Sequence, residues 1–375
     1  MSENSKIEWT DHTFNPWKIC TPVSLGCKNC YAAALAKRFG WGEYKKGVPR
    51  QLTGESNWRK ALNWNRIADS FRECPSCGRR DHMAESCPLC GTLTVPVRQR
   101  VFCASLADWL DDEVPIEWLA RLLKLIFETP NLDWLLLTKR PQNWEKRMGE
   151  LLGCYLAMNR TEGNAARLLE SWFGARVAPA NVWIGTTVED QARADERIPQ
   201  LLQIPAKVRF LSCEPLLGAV DLSECFSLWE YCGGCGEQFD FVEGRPDECP
   251  SCKRKWCMCV GYGEGARRMH FDADGRIEVC DGAPIHWVIC GGESGPNARP
   301  MHPDWARSLR DQCAAAGVPF LFKQWGEWRP TFALHDFIDD DGEDFARGDF
   351  TGYERVGKKT AGRLLDGKEH NAFPV

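Results

Sequence analysis

Seven short apolar stretches recur along this chain: Thr13–Ile19, Val101–Ser105, Leu132–Thr138, Val182–Thr187, Val208–Ser212, His286–Cys290 and Pro319–Lys323. Each is apolar on both faces and ends abruptly in polar or Gly-rich residues, as buried parallel strands do. Helical patterns fall between them, at Cys30–Phe39, Ile116–Glu128, Gln191–Leu202 and Pro303–Ala316, with charged faces opposite apolar ones. Alternating strands and helices predict a parallel sheet. The expected fold is therefore α/β, a complete or partial TIM-type (β/α) barrel whose strand–helix loops carry function at the C-terminal mouth.

Two inserts break the rhythm. Residues 66–99 hold Cys74, Cys77, Cys87 and Cys90, and residues 226–282 hold Cys232, Cys235, Cys249 and Cys252, in each case as two C-x-x-C pairs. Such pairs with Gly or Pro at the turns predict zinc ribbons, giving two Zn2+ sites, with Cys257 or Cys259 as substitute ligands in the second. Metal binding supplies the folding free energy that these polar segments lack in core. The barrel core then comprises 1–65, 100–225 and 283–330. A tail, 331–375, is acidic and then basic (Arg355, Lys358, Lys359, Arg363), and either folds back on the barrel or stays loose.

Composition narrows the class. A chain of 375 residues accommodates one barrel of about 250 residues with insertions. The net charge of −5 gives no overall basic field for nucleic acid, which leaves only local basic runs. No apolar run is long enough to span a bilayer and Met1–Glu8 has no signal-peptide pattern, so a cytoplasmic protein without membrane contact is expected. Twenty cysteines in a chain this long, several of them in C-x-x-C pairs, point to metal in a reducing compartment rather than to disulfides. The seventeen tryptophans are expected to pack the core.

Three more cysteines, Cys20, Cys27 and Cys30, follow the first strand with spacing C-x6-C-x2-C. A closed structural site takes four protein ligands, whereas three leave a coordination position open. Three thiolates fit a [4Fe–4S] cluster with one free iron, the arrangement that presents S-adenosylmethionine (SAM) in radical SAM enzymes. The usual radical SAM spacing is C-x3-C-x2-C, so the first gap here is three residues longer, and the aromatic Tyr31 follows the last cysteine instead of preceding it. A helix starting near Cys30 favours thiolate charge at its N-terminus, and Gly26 permits a tight turn. The other option is zinc, completed by a fourth ligand such as His12.

The remaining strand ends are polar. Lys139 and Arg140 follow the third strand, Glu189 the fourth, Glu214 the fifth, Gly291–Ser294 the sixth, and Lys323 lies at the end of the seventh. Charges that repeatedly follow buried strands imply a shared solvated cavity, although any one of them could be a rim ion pair. As catalytic candidates, Lys139, Arg140 and Lys323 suit carboxylate or phosphate, and Glu189 and Glu214 suit ribose hydroxyls or substrate orientation. As cofactor-binding candidates, Gly291 and Gly292 allow close backbone approach, and Glu293 with Ser294 suits an ammonium group. Cys213 and Cys290 stand at strand ends as extra ligands, catalytic thiols or small buried hydrophobes.

The blocks Ile7–Trp17, Gly26–Ala32, Leu137–Pro141, Phe210–Gly218, Gly291–Pro296 and Phe322–Gly326 together resemble the three-cysteine-motif family of phage and prophage proteins, a domain-of-unknown-function family distantly related to radical SAM enzymes. The resemblance implies a barrel of radical SAM type, a cluster on Cys20, Cys27 and Cys30, and a separate three-Cys-motif partner protein. It supplies no substrate. The expected function is that of a radical SAM-like iron–sulfur enzyme, in which SAM on the open iron is cleaved reductively and the resulting radical takes hydrogen from a substrate. The phage resemblance, the ribbons and the strand-end Lys and Arg make nucleic acid or a nucleotide the expected substrate. The alternatives are a non-catalytic, zinc-stabilised protein that binds nucleic acid or a partner, and a cluster that only transfers electrons.

Overall fold

The computed structural model describes residues 5–67, 71–81, 85–157, 164–226, 285–331 and 352–374, with short strands between 229 and 278. Its core is one seven-stranded parallel sheet: β1 His12–Phe14, β2 Gln99–Cys103, β3 Leu132–Thr138, β4 Val182–Thr187, β5 Val208–Cys213, β6 Trp287–Gly291 and β7 Phe320–Gln324. Spatial order equals chain order, and every neighbouring pair is parallel. With right-handed crossovers, this order sends every connection to the same face. The sheet accordingly curls into a half-barrel, with its helices outside.

Side chains alternate between two cores as strand geometry requires. Val101, Leu136, Ile184, Leu211, Val288 and Phe322 face the helices in the larger cluster. Phe102, Leu135, Trp183, Phe210, Trp287 and Leu321 face inward in the smaller one, together with Trp9. Gly185 is inward-facing, and a Cβ there would lie 2.4 Å from the Phe210 ring, so the glycine makes room for that aromatic. Eleven tryptophans are buried among the described residues, which bears out the packing expectation.

A closed TIM-type ring is not formed among the described residues, because β1 and β7 do not pair. Instead the chain returns to cover the edge of β7. The Phe322 amide donates to the His370 carbonyl at 2.9 Å, and Leu321 bridges Asn371 antiparallel. Phe373 then packs at a tilt on Trp287 in the inner cluster, with ring centres 5.0 Å apart. Residues 352–374 of the tail thus fold back onto the sheet, and an edge strand covered in this way offers no template to other chains.

The outer helices are α1 Tyr31–Phe39, α2 Glu55–Ile67, α3 Ile116–Glu128, α4 Trp144–Ala157, α5 Gln191–Leu202 and α6 Pro303–Ala315. The expected first strand, Thr13–Ile19, stops at Phe14. Pro16 lacks an amide for the ladder, and Trp17–Lys18 pairs antiparallel with Gln51–Leu52 instead. No helix among the described residues is long and apolar enough to cross a membrane.

Candidate metal centres and the mouth of the sheet

Cys20, Cys27 and Cys30 line one cavity of about 660 Å3 in the loop that leaves the C-terminal end of β1. The loop begins under strain. Ile19 has φ +75°, costly for a β-branched residue, and its amide donates to the Leu106 carbonyl. Cys27 closes a 3-10 turn, Leu25–Cys27, and Cys30 is the N-cap of α1. Burial pushes the Cys30 thiol up, and the Ala33 and Ala32 amides at the helix start bring it only part of the way back. Burial also pushes the Cys20 thiol up, with the Asp108 carboxylate adding to the effect. At Cys30 the expected thiolate preference of the helix N-terminus is therefore outweighed by desolvation. His12 does not line the cavity. It lies in β1 with its ring stacked on Trp64 at 4.2 Å.

Several strand-end candidates turn out to grip this loop. Glu293 accepts from Asn29, between Cys27 and Cys30, at 2.9 Å, and pairs with Arg299 at 2.7 Å. Arg299 also donates to the Leu25 carbonyl at 3.0 Å. Burial raises the Glu293 carboxyl, but Arg299 and Asn29 outweigh it and hold the group below the usual carboxylate range. Glu189 accepts from the Gly26 amide at 3.4 Å and pairs with buried Arg197 at 2.8 Å. Arg140 donates to the Thr21 carbonyl and pairs with Asp108 at 3.0 Å, while Asp108 also accepts from Thr138 and the Lys139 amide. Lys139 lies close enough to Cys30 and Glu189 for its charge to lower both groups.

The other candidates gather on the inner face. Lys323 donates to both oxygens of Glu214 at 2.7 and 2.9 Å. Gln324 bridges Glu214 and Ser294 at 3.2 and 3.1 Å. Gly291 and Gly292 serve the chain's own packing. A Cβ on Gly291 would press on the Glu214 carboxyl at 3.4 Å, and one on Gly292 would overlap the Trp325 carbonyl at 1.9 Å. Cys213 and Cys290 are register partners at the C-terminal ends of β5 and β6, fully buried with their side chains on the helix side. Asn29 lies within the Gly26–Ala32 block and Arg299 just after the Gly291–Pro296 block, but neither was a candidate site residue. Their only signal was nearness to Cys30 and to Glu293.

The first ribbon is assembled. Cys74, Cys77, Cys87 and Cys90 have all four sulfurs within 4.8 Å of one another, and this is the only such group among the described residues. The Cys74–Cys90 and Cys77–Cys87 sulfurs are 3.4 and 3.6 Å apart. Tetrahedral Zn–S bonds of about 2.3 Å put sulfurs about 3.8 Å apart, so the group could hold one such ion. Two matching knuckles build it. Gly78 and Gly91, both at positive φ, return their amides to the Cys74 and Cys87 carbonyls at 2.8 Å. The Thr92 hydroxyl and amide bring the Cys90 thiol down to about 6, which favours the ligating thiolate. Arg80 of the ribbon pairs with Asp11, just before β1, at 3.2 Å. The ribbon therefore sits at the opposite end of the strands from the three-cysteine loop.

In the second insert, Trp229–Cys232 pairs antiparallel with Gln238–Phe239 and Met258–Gly261. Cys232 ends the first of these strands, whereas Cys235, Cys249, Cys252 and Cys257 lie outside the described residues.

No curated protein and no solved structure matches the chain. One family model does, over residues 4–374, and by that match the chain belongs to the family described as protein of unknown function DUF5131.

Proposed function

We propose that Cys20, Cys27 and Cys30 hold an iron–sulfur cluster, and that the chain is a radical SAM-like enzyme acting on nucleic acid or a nucleotide. The observation that carries this reading is that Cys20, Cys27 and Cys30 line one cavity, with the Glu43 carboxylate beside them, at the end of the sheet where parallel α/β folds bind and react; their sulfurs are not gathered within 4.8 Å of one another as the ribbon's four are. Three thiolates suit iron–sulfur ligation, and a [4Fe–4S] cluster with SAM supplies one-electron radical chemistry when bound.

The chain's own residues do the positioning. Asn29, Glu293 and Arg299 fix the Leu25–Cys30 turn, Glu189 holds Gly26, and Arg140 holds Thr21. Glu214 and Lys323, with Ser294 and Gln324, offer an ammonium or carboxylate partner on the inner face for the amino-acid end of SAM. Zinc on Cys74, Cys77, Cys87 and Cys90 is part of the same proposal, with a structural role at the far end of the strands. The resemblance to the three-cysteine-motif phage family adds a three-Cys-motif partner protein, and a cytoplasmic setting is part of the same proposal.

Anaerobic reconstitution tests the reading. The expected product is brown, holds about four irons beyond its zinc, and releases 5′-deoxyadenosine from SAM on reduction. Colourless protein that takes up only zinc at Cys20, Cys27 and Cys30 would select the non-catalytic binding protein instead. Iron that is reduced without cleavage of SAM would select electron transfer.

A further inference from the structure

We infer that the basic, aromatic rim beside the three-cysteine cavity binds single-stranded nucleic acid. The inference names the substrate class of the enzyme proposed above and rests on that reading for its chemistry, but not for the binding itself.

Charge is the first ground. Residues 15–50 carry seven Lys or Arg (Lys18, Lys28, Lys37, Arg38, Lys45, Lys46, Arg50) against the single Glu43, in a chain whose net charge is −5. Arg50 is buried against Asp111, but Lys28, Lys37, Arg38, Lys45 and Lys46 are exposed. None of those five forms an ion pair among the described residues. Of the carboxylates nearby, Glu113 is held by Thr21, Arg50 and the Gly47 amide, while Glu189 and Glu293 are engaged beneath the loop. Glu43 alone lines the cavity. A cluster of unpaired cations in an acidic protein is an electrostatic footprint for polyanions.

An aromatic platform is the second ground. Helix α1 ends on Gly40 at φ +64°, and the Gly40 and Trp41 amides both return to the Ala36 carbonyl. This left-handed cap turns the chain so that Phe39 and Trp41 stack, with centroids 5.3 Å apart and planes 20° from parallel. Lys18 Nζ sits 4.0 Å from the Trp41 ring centre, and Arg38 lies 5.5 Å from that of Phe39. Phe39 is 56% exposed, a large apolar surface left in water at the end of the stack. Cations interleaved with an open aromatic face form the platform on which unpaired bases stack. A duplex hides its base faces, so the platform selects single strands.

The cavity supplies the third. Lys28, Lys37, Gly40 and Gly42 line it together with the three cysteines, so Phe39 and Trp41, the chain neighbours of those two glycines, stand at its rim. Its volume of about 660 Å3 falls in the range that small-ligand sites occupy and can take one nucleotide. A strand held on Phe39 and the rim lysines is thereby delivered to the site of chemistry.

Fluorescence anisotropy of the purified full chain tests this, with labelled single-stranded DNA and RNA of about 20 nucleotides, longer than the ~4–16 nucleotides of a single site, and a duplex of equal length. Single strands should bind more tightly than the duplex, and affinity should fall linearly in log–log with salt. Lys37→Glu with Arg38→Glu should weaken binding at least ~10-fold and lower the salt slope by about 1.4. Phe39→Ala should weaken it roughly 5- to 100-fold with the slope unchanged. Failure of the single strands to bind, duplex binding of equal strength, or indifference to both variants overturns the inference. Zinc and iron contents are measured on the same samples. A chain that takes up no iron yet binds the strand through these residues defeats the cluster reading and leaves this one standing.

Discussion

Glu214 and Lys323 are joined across a strand that belongs to neither of them. Glu214 follows β5 and Lys323 lies in β7, and the ammonium reaches both carboxylate oxygens, at 2.7 and 2.9 Å, over Gly291 at the end of β6. A Cβ at Gly291 would sit 3.4 Å from the carboxyl, so the pair relies on the missing side chain between its partners. Both side chains are largely sheltered, at 17% and 12% exposure. Lys323→Ala should destabilise the fold by about 1–3 kcal/mol, because Glu214 loses its partner. Adding Glu214→Gln should recover part of that loss in a double-mutant cycle read by urea unfolding.

Two glycines separate soft clashes from hard ones. Gly185→Ala drives a methyl into the Phe210 ring at 2.4 Å, and the ring can shift, at a cost of about 1–3 kcal/mol. Gly292→Ala meets the Trp325 carbonyl at 1.9 Å, where the obstacle is backbone. Thermal unfolding should show Gly292→Ala to be the more damaging of the two.

Glu189 should contribute to the acid limb of stability, as should Glu293. Burial raises the Glu189 carboxyl, yet Lys139 and Arg197, with Ser24 and the Gly26 amide, outweigh burial and hold it below the usual range. A depressed folded-state value gives stability that is present above the unfolded value near 4.3 and is lost as pH falls through the folded one. Glu189→Gln should cost about 3–5 kcal/mol at pH 7, since it strands buried Arg197, and should flatten the fall in stability below about pH 4. Urea titrations at neutral and acid pH check both effects.

The clamp on the three-cysteine loop can be loosened without touching a sulfur. Arg299→Ala frees the Leu25 carbonyl and one side of Glu293, and Asn29→Ala frees the other. Either variant should retain less iron after reconstitution, as loss of outer supports does at metal sites by roughly 10- to 100-fold in affinity. Iron per chain and the melting temperature, measured together, separate a loosened loop from an unfolded one.

Chelation should act at the other end of the sheet. Cys77→Ser should remove one zinc per chain and lower the melting temperature, because the ribbon's Arg80 no longer holds Asp11 in place. Metal analysis and calorimetry of the variant provide the check.

The buried middle of the fold was legible. Leu132–Thr138, Val182–Thr187, Ile116–Glu128 and Gln191–Leu202 emerge with their expected bounds, because runs apolar on both faces and a clear N-cap at Asp190 leave little choice. The first strand was misread because Trp17 and Lys18 continue its apolar run while pairing in another direction. Helix α2 was missed because Trp58, Ala61 and Trp64 are its few apolar contacts on a polar background. At the site, the spacing of three cysteines was visible, but what holds them was not. Asn29 and Glu293 are 264 residues apart, and Glu214 and Lys323 are 109 apart, distances at which only the folded sheet makes neighbours.

Strand β1 is only three residues long, and it runs between the two sulfur sites. Arg80, set by one knuckle pair, grips Asp11 just before it, and the loop bearing Cys20 begins just after it. Any influence passed along so short a connector must be mutual, because binding free energies obey reciprocity. If occupancy at the ribbon tightens the grip of the trio by some factor, occupancy of the trio tightens the ribbon's grip by that same factor. Starving cells of either element would then loosen the protein's hold on both.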